Sequence, residues 1–137
     1  MAEVQLNLGQ TQGISNVTFA PSPNAGGGRD LLVSSWDGAL SLYDVDANRC
    51  STSFIAGEGA APVLDCCFTD AAHAVSAGAD RTVKLFDLAS GESATLGTHK
   101  QPVKCAEYAA LQARKSTAVL VVHDPVAFLV RIAAGVV

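Results

Sequence analysis

The chain has 137 residues, a length that fits one domain and is enough to bury a hydrophobic core. Nine basic against thirteen acidic side chains leave a net charge of −4, which argues against nonspecific binding to nucleic acid or to an anionic membrane. Only 16% of residues are charged and 49% are hydrophobic, so much of the surface is expected to be covered.

The opening MAEVQLNLGQ lacks a basic stretch and a long apolar run, so no secretory signal is expected and the chain reads as intracellular. Residues 4–8 alternate apolar and polar and predict a short strand. Strands follow at 14–19, 31–35, 39–43 and 50–55, separated by the loop PSPNAGGGRD and the turn DVDANR. A second set of four is predicted at 63–68, 74–77, 82–86 and 93–96, with turns at TDAA and Ser90-Gly91.

A phrase recurs between the two sets. DGALSLYDV from Asp37 to Val45 returns as DRTVKLFDL from Asp80 to Leu88, with Asp37/Asp80, Leu42/Leu85 and Asp44/Asp87 identical and the apolar positions exchanged for similar ones. A repeat of about 40 to 45 residues ending in an aromatic-Asp pair is the mark of WD-repeat β-propellers, in which each unit is a four-stranded blade. The chain is therefore read as all-β: a partial WD-repeat propeller of two blades, at about 14–55 and 62–96, and the start of a third at 97–108. GTHKQPVKCAEY opens that third unit by aligning Pro102-Val103 with Pro62-Val63. A closed ring of about seven blades needs roughly 280 to 315 residues, so a fragment, a truncated isoform or an incomplete gene model is expected.

The repeat pattern is lost beyond Tyr108, and residues 109–137 read as a divergent, apolar, exposed and aggregation-prone tail. Asp124, Pro125 and Arg131 interrupt its apolar runs and disfavour a membrane-spanning helix. If helix forms anywhere it is expected near residues 106–115, where Ala, Gln, Arg and Lys gather. An array with two open end faces is further expected to be poorly stable alone or to self-associate.

No catalytic constellation is visible: Ser34, Ser35 and Ser76 lie on predicted strands without a nucleophile elbow, and His73, His99 and His123 have no local acid or nucleophile pattern. An enzyme is not expected, nor a cofactor. Gly26-Gly27-Gly28-Arg29 lacks the phosphate-loop pattern and reads as a strand connection. Cys50, Cys66, Cys67 and Cys105 show no paired spacing, and adjacent Cys66 and Cys67 on a strand point to opposite faces, so no metal site is expected. Asp37 and Asp80 stand at the tight turn between second and third strands, where a carboxylate accepts backbone N–H groups. Trp36, the single tryptophan, precedes that turn; it suits either a binding anchor or packing against the neighbouring blade.

ISNVTFAPSP, LLVSSWDGALSLYDV, PVLDCCFTDAAHAVSAGAD and GTHKQPVKCAEY together resemble the N-terminal part of the spindle-checkpoint WD-repeat proteins of the budding-uninhibited-by-benzimidazole class, over about residues 11–108. They resemble, less closely, the messenger-RNA-export WD-repeat proteins. The resemblance implies a non-catalytic scaffold in the nucleus, and at the kinetochore in mitosis, that binds a short peptide of checkpoint kinases on one end of the propeller. Trp36 matches a tryptophan of that peptide-binding surface, whereas Ala79 takes its place in the second repeat. His99, in Gly97-Thr98-His99, resembles the histidine that pairs with a tight-turn Asp, but no such Asp is recognisable in the third repeat. Docking on a phosphorylated kinetochore scaffold is implied only where later blades are present, with no direct contact to nucleic acid or membrane. The alternatives are an adaptor of messenger-RNA export and a truncated fragment without independent function.

Overall fold

The structure, a computed structural model, describes residues 3–8, 13–111 and 116–132. It is all-β. Strands β1 (Ile14–Phe19), β2 (Asp30–Ser35), β3 (Ala39–Asp44) and β4 (Arg49–Ile55) form one antiparallel meander. Strands β5 (Val63–Phe68), β6 (His73–Gly78), β7 (Thr82–Asp87) and β8 (Ser93–Thr98) form a second. A three-stranded sheet follows, made of β9 (Cys105–Leu111), β10 (Ser116–His123) and β11 (Val126–Ile132). These are two complete WD-type blades and a partial third.

Period-two burial makes the blades stack. On β2, Leu32 faces the second blade while Leu31 and Val33 face away from it. Leu32, Leu40, Val63, Cys66, Phe68, Ala74 and Phe86 fill the space between the first two blades, and Phe54 stacks on Phe86 with ring centroids 5.4 Å apart. Val75, Ala77, Val83, Leu85, Val103, Ala106, Val119 and Val121 fill the next. Cys66 and Cys67 thus serve opposite faces of one blade, and burial pushes both thiols up to about 12, which keeps them protonated and inert.

Three expectations are corrected. The proposed helix near 106–115 is strand β9 as far as Leu111, because Ala106 and its neighbours pair with β10 and bury against the second blade; residues 112–115 lie outside the described residues. Tertiary pairing here overrides a weak helical preference. The apolar run after Tyr108 is not simply exposed: Ala118, Val119 and Val121 are fully buried, and the run supplies β10 and β11. Residues 4–8 form no strand; they lie across the outward face of the first blade, where Leu6 and Leu8 pack on Leu31, Val33 and Tyr43. Their backbone bonds to side chains instead of a ladder: the Asn7 N–H donates to Tyr43 Oη (2.8 Å) and Asn48 Oδ1 (2.9 Å), and Asn48 Nδ2 donates to the Gln5 carbonyl.

Among the described residues helix is confined to one 3₁₀ turn at Glu58–Ala60, and none is long and apolar enough to cross a membrane.

Candidate functional site: the turn surface around Trp36

The turns joining second to third strands and the segments joining one blade to the next meet at one end of the stack. Hydrogen bonds hold them together. The Trp36 N–H donates to the Gly13 carbonyl (2.8 Å), and in the second blade the Ala79 N–H donates to the Pro62 carbonyl (2.9 Å). Ala56 and Gly57 N–H groups both donate to the Gly38 carbonyl, while the His99 N–H donates to the Arg81 carbonyl and the Val103 N–H to the Gly78 carbonyl.

The repeated aspartates organise this end. Asp37 Oδ1 accepts the Ala39 N–H at 2.9 Å, and Asp80 Oδ1 accepts both the Thr82 N–H (3.0 Å) and the Thr82 hydroxyl (2.7 Å). Asp80 does more than Asp37: its Oδ2 accepts the Glu58 N–H at 3.1 Å and lies 4.0 Å from Lys84 Nζ, which itself donates to the Ala56 carbonyl. Burial works against the Asp80 charge, but the Thr82 hydroxyl, the Glu58 and Thr82 N–H groups and Lys84 together hold its carboxyl below the usual carboxylate value. The second pair of repeated aspartates closes the outer hairpins, Asp44 accepting from Ala47 and Asp87 from Ala89 and Ser90.

Gly38 is fixed by close approach. Its φ is +90°, and a Cβ there would sit 3.0 Å from Ala60 Cα and from the Ala61 carbonyl oxygen. The turn carrying Trp36 is thereby pressed against the Glu58–Ala60 segment. Trp36 itself is 51% exposed; a Cβ at Gly13 would lie 3.3 Å from its Cδ1, so one side of the indole lies against glycine and the rest meets solvent. Ala79 offers no such ring on the second blade.

His99 lies where the second blade passes to the third, with its ring 5.0 Å from Phe128. Thr98, His99, Lys100, Val126 and Phe128 surround a hollow of about 430 Å³. The structure also shows what stands at the third tight turn: Asp124, between β10 and β11, in the position of Asp37 and Asp80. It faces Lys104, whose Nζ donates to Asp124 Oδ2 at 2.8 Å. Asp124 keeps the period, 44 residues after Asp80, but the sequence reading missed it because a two-residue turn with proline after the Asp replaces the three-residue turns and no aromatic-Asp ending follows.

A second residue missed from sequence is Asp65. Its Oδ1 accepts from Asn16 Nδ2 (2.5 Å) on the first blade and its Oδ2 from the Ala106 N–H (2.9 Å) on the third, so one carboxylate on β5 ties three blades. The available signal was an acid inside the apolar strand VLDCCF.

Ser34 is buried and shares a hydrogen bond with Ser15, while His73 lies 3.0 Å from Asp70 and 3.9 Å from Asp87 in the other turns of the second blade. Among the described residues no three His, Cys, Asp or Glu side chains gather as metal ligands.

The family model for the WD domain, G-beta repeat, matches residues 48–87. The chain is 41% identical over 104 residues to mitotic checkpoint protein BUB3.1 of Arabidopsis thaliana, covering 76% of this chain and 28% of that protein. It is 34% identical over 108 residues to mRNA export factor GLE2 of Chaetomium thermophilum, covering 77% of this chain and 30% of that protein. It is 32% identical over 95 residues to mitotic checkpoint protein bub-3 of Caenorhabditis elegans, covering 69% and 27%. The chain thus spans less than a third of the length of these relatives. Its blades, repeated turn aspartates and these similarities together make it a WD40-repeat protein that resembles part of the BUB3 mitotic checkpoint proteins and is related to the GLE2 export factor.

Proposed function

We propose that this chain is a non-catalytic interaction module of the spindle checkpoint, which receives a short peptide of checkpoint kinases on the turn surface around Trp36, in the nucleus and at mitotic kinetochores. The observation that carries the reading is the half-exposed indole, held rigidly at a blade end by the Gly13 carbonyl and the Gly38 contact, in a chain similar to mitotic checkpoint proteins. A rigid aromatic with one face already supported loses little freedom on binding, which is why tryptophan anchors so many interfaces. Asp37 holds the turn that presents it, Asp80 holds the corresponding turn of the second blade, and His99 lies at the border of the third. Docking on a phosphorylated kinetochore scaffold is part of this reading only where later blades are present.

The test is calorimetric titration with checkpoint-kinase peptides, comparing the chain with Trp36→Ala. Loss of the indole is expected to weaken binding by about 2 kcal/mol or more, the scale of an interface hot spot, while the melting temperature stays near that of the parent. Unchanged affinity would sink the reading. Similarity to GLE2 favours messenger-RNA export as the second reading, and stronger binding of a nucleoporin peptide than of kinase peptides would select it.

A further inference from the structure

The loop between β1 and β2 is held shut by one side chain. Asn24 Oδ1 accepts the Gly26 N–H (3.0 Å) and the Gly28 N–H (2.9 Å), Asn24 Nδ2 donates to Asp30 Oδ1 (2.9 Å), and the Asn24 N–H donates to the Gly28 carbonyl (2.8 Å). At the mouth of the loop the Ala20 N–H donates to the Asp30 carbonyl. Ser22 takes no part in this closure. Pro21, Ser22 and Pro23 are all exposed, and among the described residues neither the N–H nor the hydroxyl of Ser22 has a hydrogen-bond partner. A serine in such a loop ordinarily bonds its hydroxyl to nearby backbone and so shapes the turn. Here Asn24 does that, and the Ser22 hydroxyl faces solvent. Of the five prolines in the chain, Pro23 alone follows a serine or threonine. Proline in that place disfavours helical backbone at Ser22 and favours the extended form, which lays the hydroxyl open along the chain.

We infer that Ser22 is a phosphoacceptor for a proline-directed serine/threonine kinase, and that Arg29 holds the phosphate once it is attached. ATP supplies the group: a bond forms between Ser22 Oγ and the γ-phosphorus as the bond from that phosphorus to the ADP oxygen breaks, and the hydroxyl proton passes to a carboxylate of the kinase. Arg29 is exposed, and its Nη1 donates to the Ala20 carbonyl at 3.2 Å, two residues before Ser22. Among the described residues no carboxylate forms an ion pair with that guanidinium. With five N–H donors it can keep the carbonyl and offer the rest to a phosphate carrying about −1.5 to −2 charge. Asp30 and Asp46 flank the loop and oppose a further negative charge, but each already accepts a hydrogen bond, from Asn24 Nδ2 and from the Arg29 N–H. The loop leaves β1 at the end away from Gly13 and Trp36, so the modification marks the end of the stack opposite the turn surface.

The full chain incubated with a cyclin-dependent kinase and ATP is expected to take up one phosphate, mapped to Ser22 by tandem mass spectrometry. Ser22→Ala should abolish the uptake. Pro23→Ala, which keeps the acceptor, should lower the initial rate by about tenfold or more. A synthetic peptide of residues 17–27 serves as the unfolded reference and needs no variant to fold. In phosphorus-31 magnetic resonance of the phosphorylated chain, the second ionisation of the phosphate should come about half a unit lower than in phosphorylated Arg29→Gln, because a neighbouring cation favours the dianion. No phosphate at Ser22, phosphate on the peptide but not on the folded chain, or equal rates for Pro23→Ala and the parent would each overturn the acceptor assignment. Equal phosphate titration in the parent and Arg29→Gln would overturn the role of Arg29.

Discussion

At the scale of residues, the repeated phrase is a list of turn closures and core positions. Asp80 is the most heavily engaged of its aspartates, and Asp80→Ala removes acceptors from the Thr82 N–H, the Thr82 hydroxyl and the Glu58 N–H. At about 1 kcal/mol per hydrogen bond, a loss of about 1 to 3 kcal/mol is expected in urea unfolding, with peptide affinity of the folded protein nearly unchanged. The same carboxylate gives an acid dependence. Its folded pKa lies below the ordinary 3.8, so the unfolded chain binds the proton more readily and the stabilisation is present above that value. It disappears as pH falls through the lower folded value. Asp87, held down by the Ser90 and Ala89 N–H groups, shifts in the same direction, as does Asp70, where hydrogen bonds from Ala72 and His73 outweigh the effect of burial. Urea unfolding repeated at decreasing pH should therefore show stability falling below about pH 4, with a shallower fall in Asp80→Asn. Gly38→Ala combines a left-handed backbone with a contact at 3.0 Å and should cost about 1 to 3 kcal/mol, read from the same unfolding curves.

At the scale of elements, each blade is legible where its strands alternate and its turns carry aspartate. All eight strands of the first two blades lie within a residue or two of the positions their alternation and turn residues predict. The third blade was legible only at its opening. β10 and β11 carry no aromatic-Asp ending, and a two-residue turn at Asp124-Pro125 replaces the three-residue turns of the other blades. The bond network on β5 was also hidden, because nothing in VLDCCF says that Asp65 reaches strands 49 residues before it and 41 after it. Asp65→Ala leaves the Asn16 amide and the Ala106 N–H without this acceptor, and a loss of about 1 to 3 kcal/mol is expected. Asp65→Asn keeps an oxygen acceptor and should lose less. Equal losses in the two variants, measured by chemical unfolding, would show that the carboxylate is not what links the blades.

At the scale of the whole molecule, stability comes from blade stacking, with β5 lying against both β1 and β9. The outward face of the first blade is closed by residues 3–8, through Leu6 and Leu8 on Leu31, Val33 and Tyr43. Replacing both leucines with aspartate should lower stability by about 2 to 4 kcal/mol from lost burial and expose Tyr43, to be checked by thermal melting with tyrosine fluorescence. No shift in either would mean that this segment covers the face without stabilising it.

The sequence by itself determined the blade architecture, because the 43-residue recurrence of Asp37 at Asp80, the period-two alternation and the turn aspartates are local signals written within each repeat. It also pointed to Trp36 as a residue placed at a turn beside a repeated aspartate. Only the tertiary structure decided that the indole is half exposed with one side against Gly13, that Asp65 joins three blades, that residues 3–8 cover an outward face, and that the apolar tail forms β10 and β11. Each of these depends on which distant residues come to lie opposite one another. Spacing along the chain carries turns and faces, whereas exposure and partnership are fixed when blades stack and ladders find their register.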